Sequence, residues 1–146
     1  MIIMFFFHFV LTFLFKDRQY RKLINLNYLV GLLFIIGVYS GSYMLKGIAP
    51  KSTFDIWVDA GILYPIYVIY FLLLVLLSYH FLHIGYKNND GIKRRQILII
   101  FWATLIGFGG GMTNFLPQLF NIYPFGTFVI FLHPILITYG IFLKDY

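Results

Sequence analysis

Cysteine and glutamate are both missing from this chain of 146 residues, and charged side chains of any kind make up only 11% of it. Without cysteine no disulfide framework and no thiolate metal site can form, and covalent thiol chemistry is excluded. All the acids are aspartates, five in number. There is also no low-complexity segment, no soluble linker and no defensible internal repeat, so the chain reads as one domain. What it has in abundance is apolar surface: 61% hydrophobic residues and 22% aromatics. That is more than a globular domain of this size can bury, and it marks an integral membrane protein.

Crossing the hydrocarbon core takes about 20 apolar residues in a helix. Five stretches approach that: Ile2 to Phe15, Leu23 to Leu45, Ile62 to Ile84, Ile97 to about Phe115, and Thr127 to Leu143. The last two are joined by a short, turn-forming, polar-spotted link from Leu116 to Gly126, which reads as a membrane hairpin. All five read as helices, because lipid offers no partner to unpaired backbone groups and the alternation of barrel strands is absent. The expected fold class is all-α, a polytopic membrane bundle of about five transmembrane helices.

Charge sets the expected orientation. Lys16, Arg18, Arg21 and Lys22 fall in the first loop, Lys87, Lys93, Arg94 and Arg95 in the third, and Lys144 at the end. Only Lys46 and Lys51 fall on the opposite side, beside Asp55 and Asp59. Basic loops stay in the cytoplasm, so the amino terminus is expected outside and the carboxyl terminus inside. The net charge of +6 is then a topology signal and an attraction to the anionic lipid bilayer, with no nucleic acid partner implied.

The ends read as cut. The first segment opens without a basic region or a cleavage site, so it is not a signal peptide, and it is short for a crossing. Lys144, Asp145 and Tyr146 after the last span are too few for a cytoplasmic domain. We expect a single transmembrane domain over 1–146 that is a fragment at both ends.

The polar and flexible residues of the last two spans are the candidates for function. Ala103, Gly107 and Gly111 are spaced four apart, as are Gly37 and Gly41 on the second span, and small residues at that spacing let helices approach closely. Gly109, Gly110 and Gly111 are followed by no Lys-Ser or Lys-Thr, so they are not a phosphate loop. They are expected to loosen the outer turns of the fourth span, with Met112, Thr113 and Asn114 bonding freed backbone groups and Pro117 stopping the helix. His133, ahead of Pro134, is a polar group at membrane depth, where such groups are often functional. His80 and His83 share a face, but no third ligand joins them, so no metal and no cofactor is expected. Asp55 and Asp59 with Trp57 between them read as a short amphipathic surface helix in preference to a carboxylate pair for catalysis. Tyr64, Tyr67 and Tyr70 read as an aromatic belt.

Several pieces in order carry a resemblance: Gly91-Ile-Lys-Arg-Arg-Gln96, Gly107-Phe-Gly-Gly-Gly111, Thr113-Asn-Phe-Leu-Pro117, Tyr123-Pro-Phe-Gly126 and Ile137-Thr-Tyr-Gly-Ile-Phe-Leu143. Together they resemble the closing half of the seven-helix amino-terminal membrane region of bacterial sensor histidine kinases. The opening His8-Phe-Val-Leu-Thr-Phe13 is similar to that region's third helix, so the chain corresponds to helices three to seven. Two opening helices have no counterpart, and the family's Tyr-Ala-Ile ending stands here as Tyr139-Gly140-Ile141.

The resemblance implies signal input, with no catalysis in this chain. An attached cytoplasmic module would carry phosphate from ATP to its own histidine and on to a response regulator, as a homodimer. Cyclic-dinucleotide enzymes can follow the same membrane region. On that reading the sensing or switch residues are Gly107, Gly109, Gly110, Gly111, Asn114, Pro117, Tyr123, Pro124, Gly126 and His133. The alternatives are a small transporter lined by Asn114 and His133, or a stand-alone membrane partner protein. The transporter is disfavoured because every charged residue falls in a loop or at a boundary.

Overall fold

In lipid each backbone N–H and C=O has to find its partner within the chain, and the apolar runs meet that demand by forming helices. The computed structural model describes residues 2–143. It contains helices α1 (Ile2–Phe13), α2 (Arg21–Tyr39), α3 (Tyr64–Lys87), α4 (Gly91–Met112), α5 (Leu116–Phe120) and α6 (Leu132–Phe142). A 3₁₀ turn, Thr113–Phe115, joins α4 to α5, and a second, Phe125–Val129, leads into α6. Lys144, counted among the inner charges, lies outside the described residues, as do Asp145 and Tyr146.

Four stretches are long and apolar enough to cross a membrane: Arg21–Tyr39, Tyr64–Lys87, Gly91–Phe120 and Phe125–Phe142. The first of the five expected spans is different. α1 has 12 residues, a length of about 18 Å at 1.5 Å per residue, well short of the hydrocarbon thickness. It buries Ile3, Met4, Phe6, Phe7, Val10 and Leu11. An apolar helix of that length is more often a buried core element than a span, and half of its residues are buried accordingly.

The segment between α2 and α3 also departs from expectation. It is an antiparallel hairpin of β1 (Leu45–Lys51) and β2 (Phe54–Ala60), not an amphipathic helix. Pro50 denies a helix its hydrogen bond, whereas in a two-stranded sheet both strands are edges and tolerate it. Ile56, Trp57 and Val58 are strand formers, and Trp57 pairs with Ala49 across the ladder. The Lys51 ammonium lies 2.8 Å from the Asp59 carboxylate. Asp55 and Asp59 are therefore strand residues, and Asp59 is committed to an ion pair.

The chain divides into two compact units, the first running to Ser78 and the second beginning at Tyr79. In the first unit α2 ends at Tyr39, so Gly41 is not a helical packing residue; it lies in the following turn at φ +130°. The glycine that lets α2 approach a neighbour is Gly31, where a Cβ would collide with the Met4 thioether. Ile24, Asn27 and Gly31 form the buried stripe of this helix. Up to Ser78, α3 buries Tyr64, Val68, Phe71, Val75 and Ser78, a stripe that recurs every three to four residues and leaves Ile66, Ile69, Leu73 and Leu76 exposed. In the second unit α4 and α6 run against one another, with Gly140 close enough to Ile99 that a Cβ would sit 2.9 Å from its Cγ2.

Candidate functional site

The sequence-predicted site residues gather where the C-terminal end of α4 meets the start of the closing segment. α4 buries Ile97, Ile100, Ala103, Thr104, Gly107, Phe108 and Gly110 along one side. Ala103, Gly107 and Gly110 therefore form the close-approach face. Gly111 does not belong to it: a Cβ at Gly111, or at Gly109, would meet nothing within 4 Å. The 3.6-residue period explains this correction, since position 110 returns to the face of 103 and 107 better than 111 does.

Each glycine on that face has its own reason. A Cβ on Gly107 would enter the ring of His133. A Cβ on Gly110 would lie 2.5 Å from the carbonyl oxygen of Gly126, and one on Gly126 would lie 2.8 Å from Gly110 Cα. Two backbones thus touch without side chains between them, which only glycine at both positions permits.

Hydroxyls complete the contact. Thr113 Oγ1 donates to the Gly110 carbonyl at 2.7 Å and accepts the Gly126 N–H at 3.0 Å. Thr127 Oγ1 lies 3.0 Å from both Asn114 Oδ1 and the Pro124 carbonyl, two acceptors that share its single proton. The His133 ring nitrogen Nδ1 lies 3.0 Å from the Ala103 carbonyl, which fixes Nδ1 as the protonated nitrogen of this bond. Phe108 meets the same ring edge to face, with centroids 5.8 Å apart. Pro134 stands third in α6, where an intrahelical N–H partner is lacking anyway, so it starts the helix without kinking it.

The glycines do not unwind α4. The α-helix persists to Met112 and tightens to 3₁₀ geometry only at Thr113–Phe115. Pro117 is a starter and not a stop: buried and in the first turn of α5, it costs no hydrogen bond. The chain turns at Asn121 instead, which adopts the left-handed conformation at φ 57°. Pro124, also buried, centres a tight turn in which the Phe125 N–H reaches the Tyr123 carbonyl at 2.9 Å. The Tyr123 ring stacks on Phe128 at the rim.

Of the expected set, Gly107, Gly110, Asn114, Gly126 and His133 come together, with Pro117, Pro124 and Tyr123 shaping the turn that holds them. Gly109 and Gly111 do not take part. Gln96 was not anticipated: at the opposite end of α4 its Nε2 donates to the Ile141 carbonyl at 3.1 Å and approaches that of Leu143 at 3.3 Å. A glutamine at the start of an apolar span was the available signal. Among the described residues no group of three or more His, Cys, Asp or Glu could hold a metal ion, and His80 and His83 are exposed. The arrangement has the character of a joint, made of close backbones and short, mostly satisfied hydrogen bonds.

A family model described as the N-terminal 7TM region of histidine kinase matches residues 1–144. No curated protein and no solved structure matches the chain.

Proposed function

Because the chain belongs to the family of N-terminal 7TM regions of histidine kinases, we propose that it is the signal-sensing input domain of a two-component sensor. In this reading the amino terminus and the β1–β2 hairpin face the outside of the cell membrane. α6 then leads toward a cytoplasmic kinase module that works as a homodimer and hands phosphate to a response regulator.

The observation that carries the mechanism is the glycine contact between α4 and the closing segment. A signal can bias an output only if two arrangements of the protein differ little in energy and the signal prefers one of them. The Gly110–Gly126 contact is suited to this. It is held by hydrogen bonds through Thr113 rather than by interlocked side chains, so a small displacement exchanges a few polar bonds without rebuilding a core. α6 starts a few residues after the contact and carries any displacement along its length as a rigid rod.

The test is the open reading frame beyond Tyr146 together with the output of its full-length product in proteoliposomes. We expect a phosphoacceptor-histidine segment and an ATP-binding domain. We expect Gly110→Leu and Asn114→Leu to insert normally while fixing autophosphorylation at one level whatever the signal. A stop codon in an intact locus, or variants that insert and respond as the parent does, would overturn the proposal.

A further inference from the structure

The first unit contains a half-open cavity of about 230 Å³ under the root of the hairpin, far along the chain from the glycine contact. Its walls include Met4 of α1, Phe34 of α2 and Met44 at the entry to β1, and one side is the row of Tyr64, Tyr67 and Tyr70 on successive turns of α3. No Lys, Arg, Asp or Glu lines it. Polarity enters through tyrosine. The Tyr70 hydroxyl is held by Asn27, bonding to its backbone carbonyl at 3.1 Å and to its side-chain oxygen. Asn27, the seventh of the nineteen residues of α2, is only 4% exposed.

A buried amide in a span is costly unless bonded, so a protein that needed this volume only for packing would fill it with aliphatic side chains. Here the volume is left open while a polar pair is built at its edge. An aromatic belt accounts for tyrosines at the headgroup level, but not for Tyr64 being buried or for the row facing a hollow.

We propose that this cavity is a binding site for a diffusible, uncharged, mostly apolar small molecule carrying one hydrogen-bonding group. Size follows from the volume: an apolar cavity of about 150 Å³ accepts benzene, so this one holds on the order of ten non-hydrogen atoms. Charge is excluded by the lining, since an ion here would have no counter-ion. A two-tailed phospholipid is far too large for the space. A single hydroxyl on the ligand can donate to the Tyr70 oxygen, whose own proton goes to Asn27, and its apolar body has Met4, Phe34 and Met44. This site does not depend on the chain being a kinase input domain, and its test reads binding alone.

The probe is a photoreactive octanol bearing a diazirine, applied to the purified chain reconstituted in phospholipid nanodiscs and mapped by peptide mass spectrometry. Saturable labelling concentrated on Tyr64, Tyr67, Tyr70 and Met44, and competed by unlabelled n-octanol but not by octanoate, is the expected result. Ile35→Trp, which fills the cavity from the α2 side, should reduce labelling at least tenfold with the helical circular dichroism retained. Tyr70→Phe keeps the volume and removes the hydroxyl, and should weaken competition by octanol about three- to tenfold. Labelling that does not saturate, or that spreads over lipid-facing Ile66, Ile69 and Leu73, would overturn the proposal. So would site labelling in detergent that vanishes in nanodiscs, because bilayer acyl chains would then be the occupant.

Discussion

Two alanine substitutions one residue apart should have opposite effects. In Gly110→Ala the new methyl would stand 2.5 Å from the Gly126 carbonyl oxygen, 3.1 Å from Ile130 Cγ1 and 3.3 Å from Val129 Cγ2. The first neighbour is backbone and cannot rotate away, so the contact has to open by roughly 1 Å to restore an ordinary separation. Overpacking of this kind costs about 1–3 kcal/mol. Opening also stretches the Thr113 bridge, which spans the same two glycines. In Gly109→Ala the methyl meets nothing within 4 Å, and alanine is the better helix former by about 0.8–1 kcal/mol. Both positions lie within α4 and share that gain, so the two variants should differ by the overpacking cost, about 1–3 kcal/mol, with Gly109→Ala the more stable. Reversible unfolding in mixed detergent micelles, followed by far-ultraviolet circular dichroism, measures the difference. Equal midpoints would refute the claim that Gly110 is at a backbone contact and Gly109 is not. An unstable Gly109→Ala with an unperturbed Gly110→Ala would place the close-packed face on the other side of α4.

Three further outcomes follow from the same geometry. Thr113→Val keeps the shape but strips the Gly126 N–H of its acceptor, and should cost about 1–3 kcal/mol in the same assay, whereas Thr113→Ser should recover most of the loss. Pro117→Ala costs no hydrogen bond, since the position needs no N–H, but it deletes a fully buried ring and should cost about 1–2 kcal/mol; a gain in helix content would show that proline had been holding the helix back. In the hairpin, the hydrogen bond from Lys51 holds the Asp59 carboxyl below its ordinary value of 3.8, outweighing the effect of desolvation. A carboxyl pKa that is lowered on folding stabilises the folded state above the ordinary value, and that support fades as pH falls through the lower folded one. Carbon-detected titration of Asp59 should thus give a midpoint under 3.8, returning toward it in Lys51→Gln. An unshifted midpoint in the parent would mean the ion pair does not persist in solution.

The membrane class and the helical architecture were legible in the residues, and so was a glycine cluster suited to close backbone contact. Long apolar runs leave a chain in lipid no choice but helix. A glycine cluster followed by Thr113, Asn114 and a second small residue at Gly126 marks a place where backbones can meet. The strand character of 45–60 was obscured because Asp55 and Asp59, four apart, fit a helical period as well as they fit alternate strand positions. Pro50 and the run Ile56-Trp57-Val58 favoured strand, but a strand needs a partner, and pairing with 45–51 is a tertiary fact. The role of α1 was hidden for a related reason, since apolarity does not distinguish a residue facing lipid from one facing protein.

Transfer free energy, a property of each residue summed along the chain, therefore marked a membrane protein and picked out its four long apolar helices, while leaving α1 unresolved. Only the tertiary structure decided which glycines touch. Gly107 and Gly110 meet His133 and Gly126 while Gly109 and Gly111 face open space, and that choice depends on the rotation of α4 against a segment more than a dozen residues away. It also decided that three tyrosines of α3 line a hollow beside Asn27. A cavity is the volume that several elements jointly fail to fill, and no single segment of sequence encodes it.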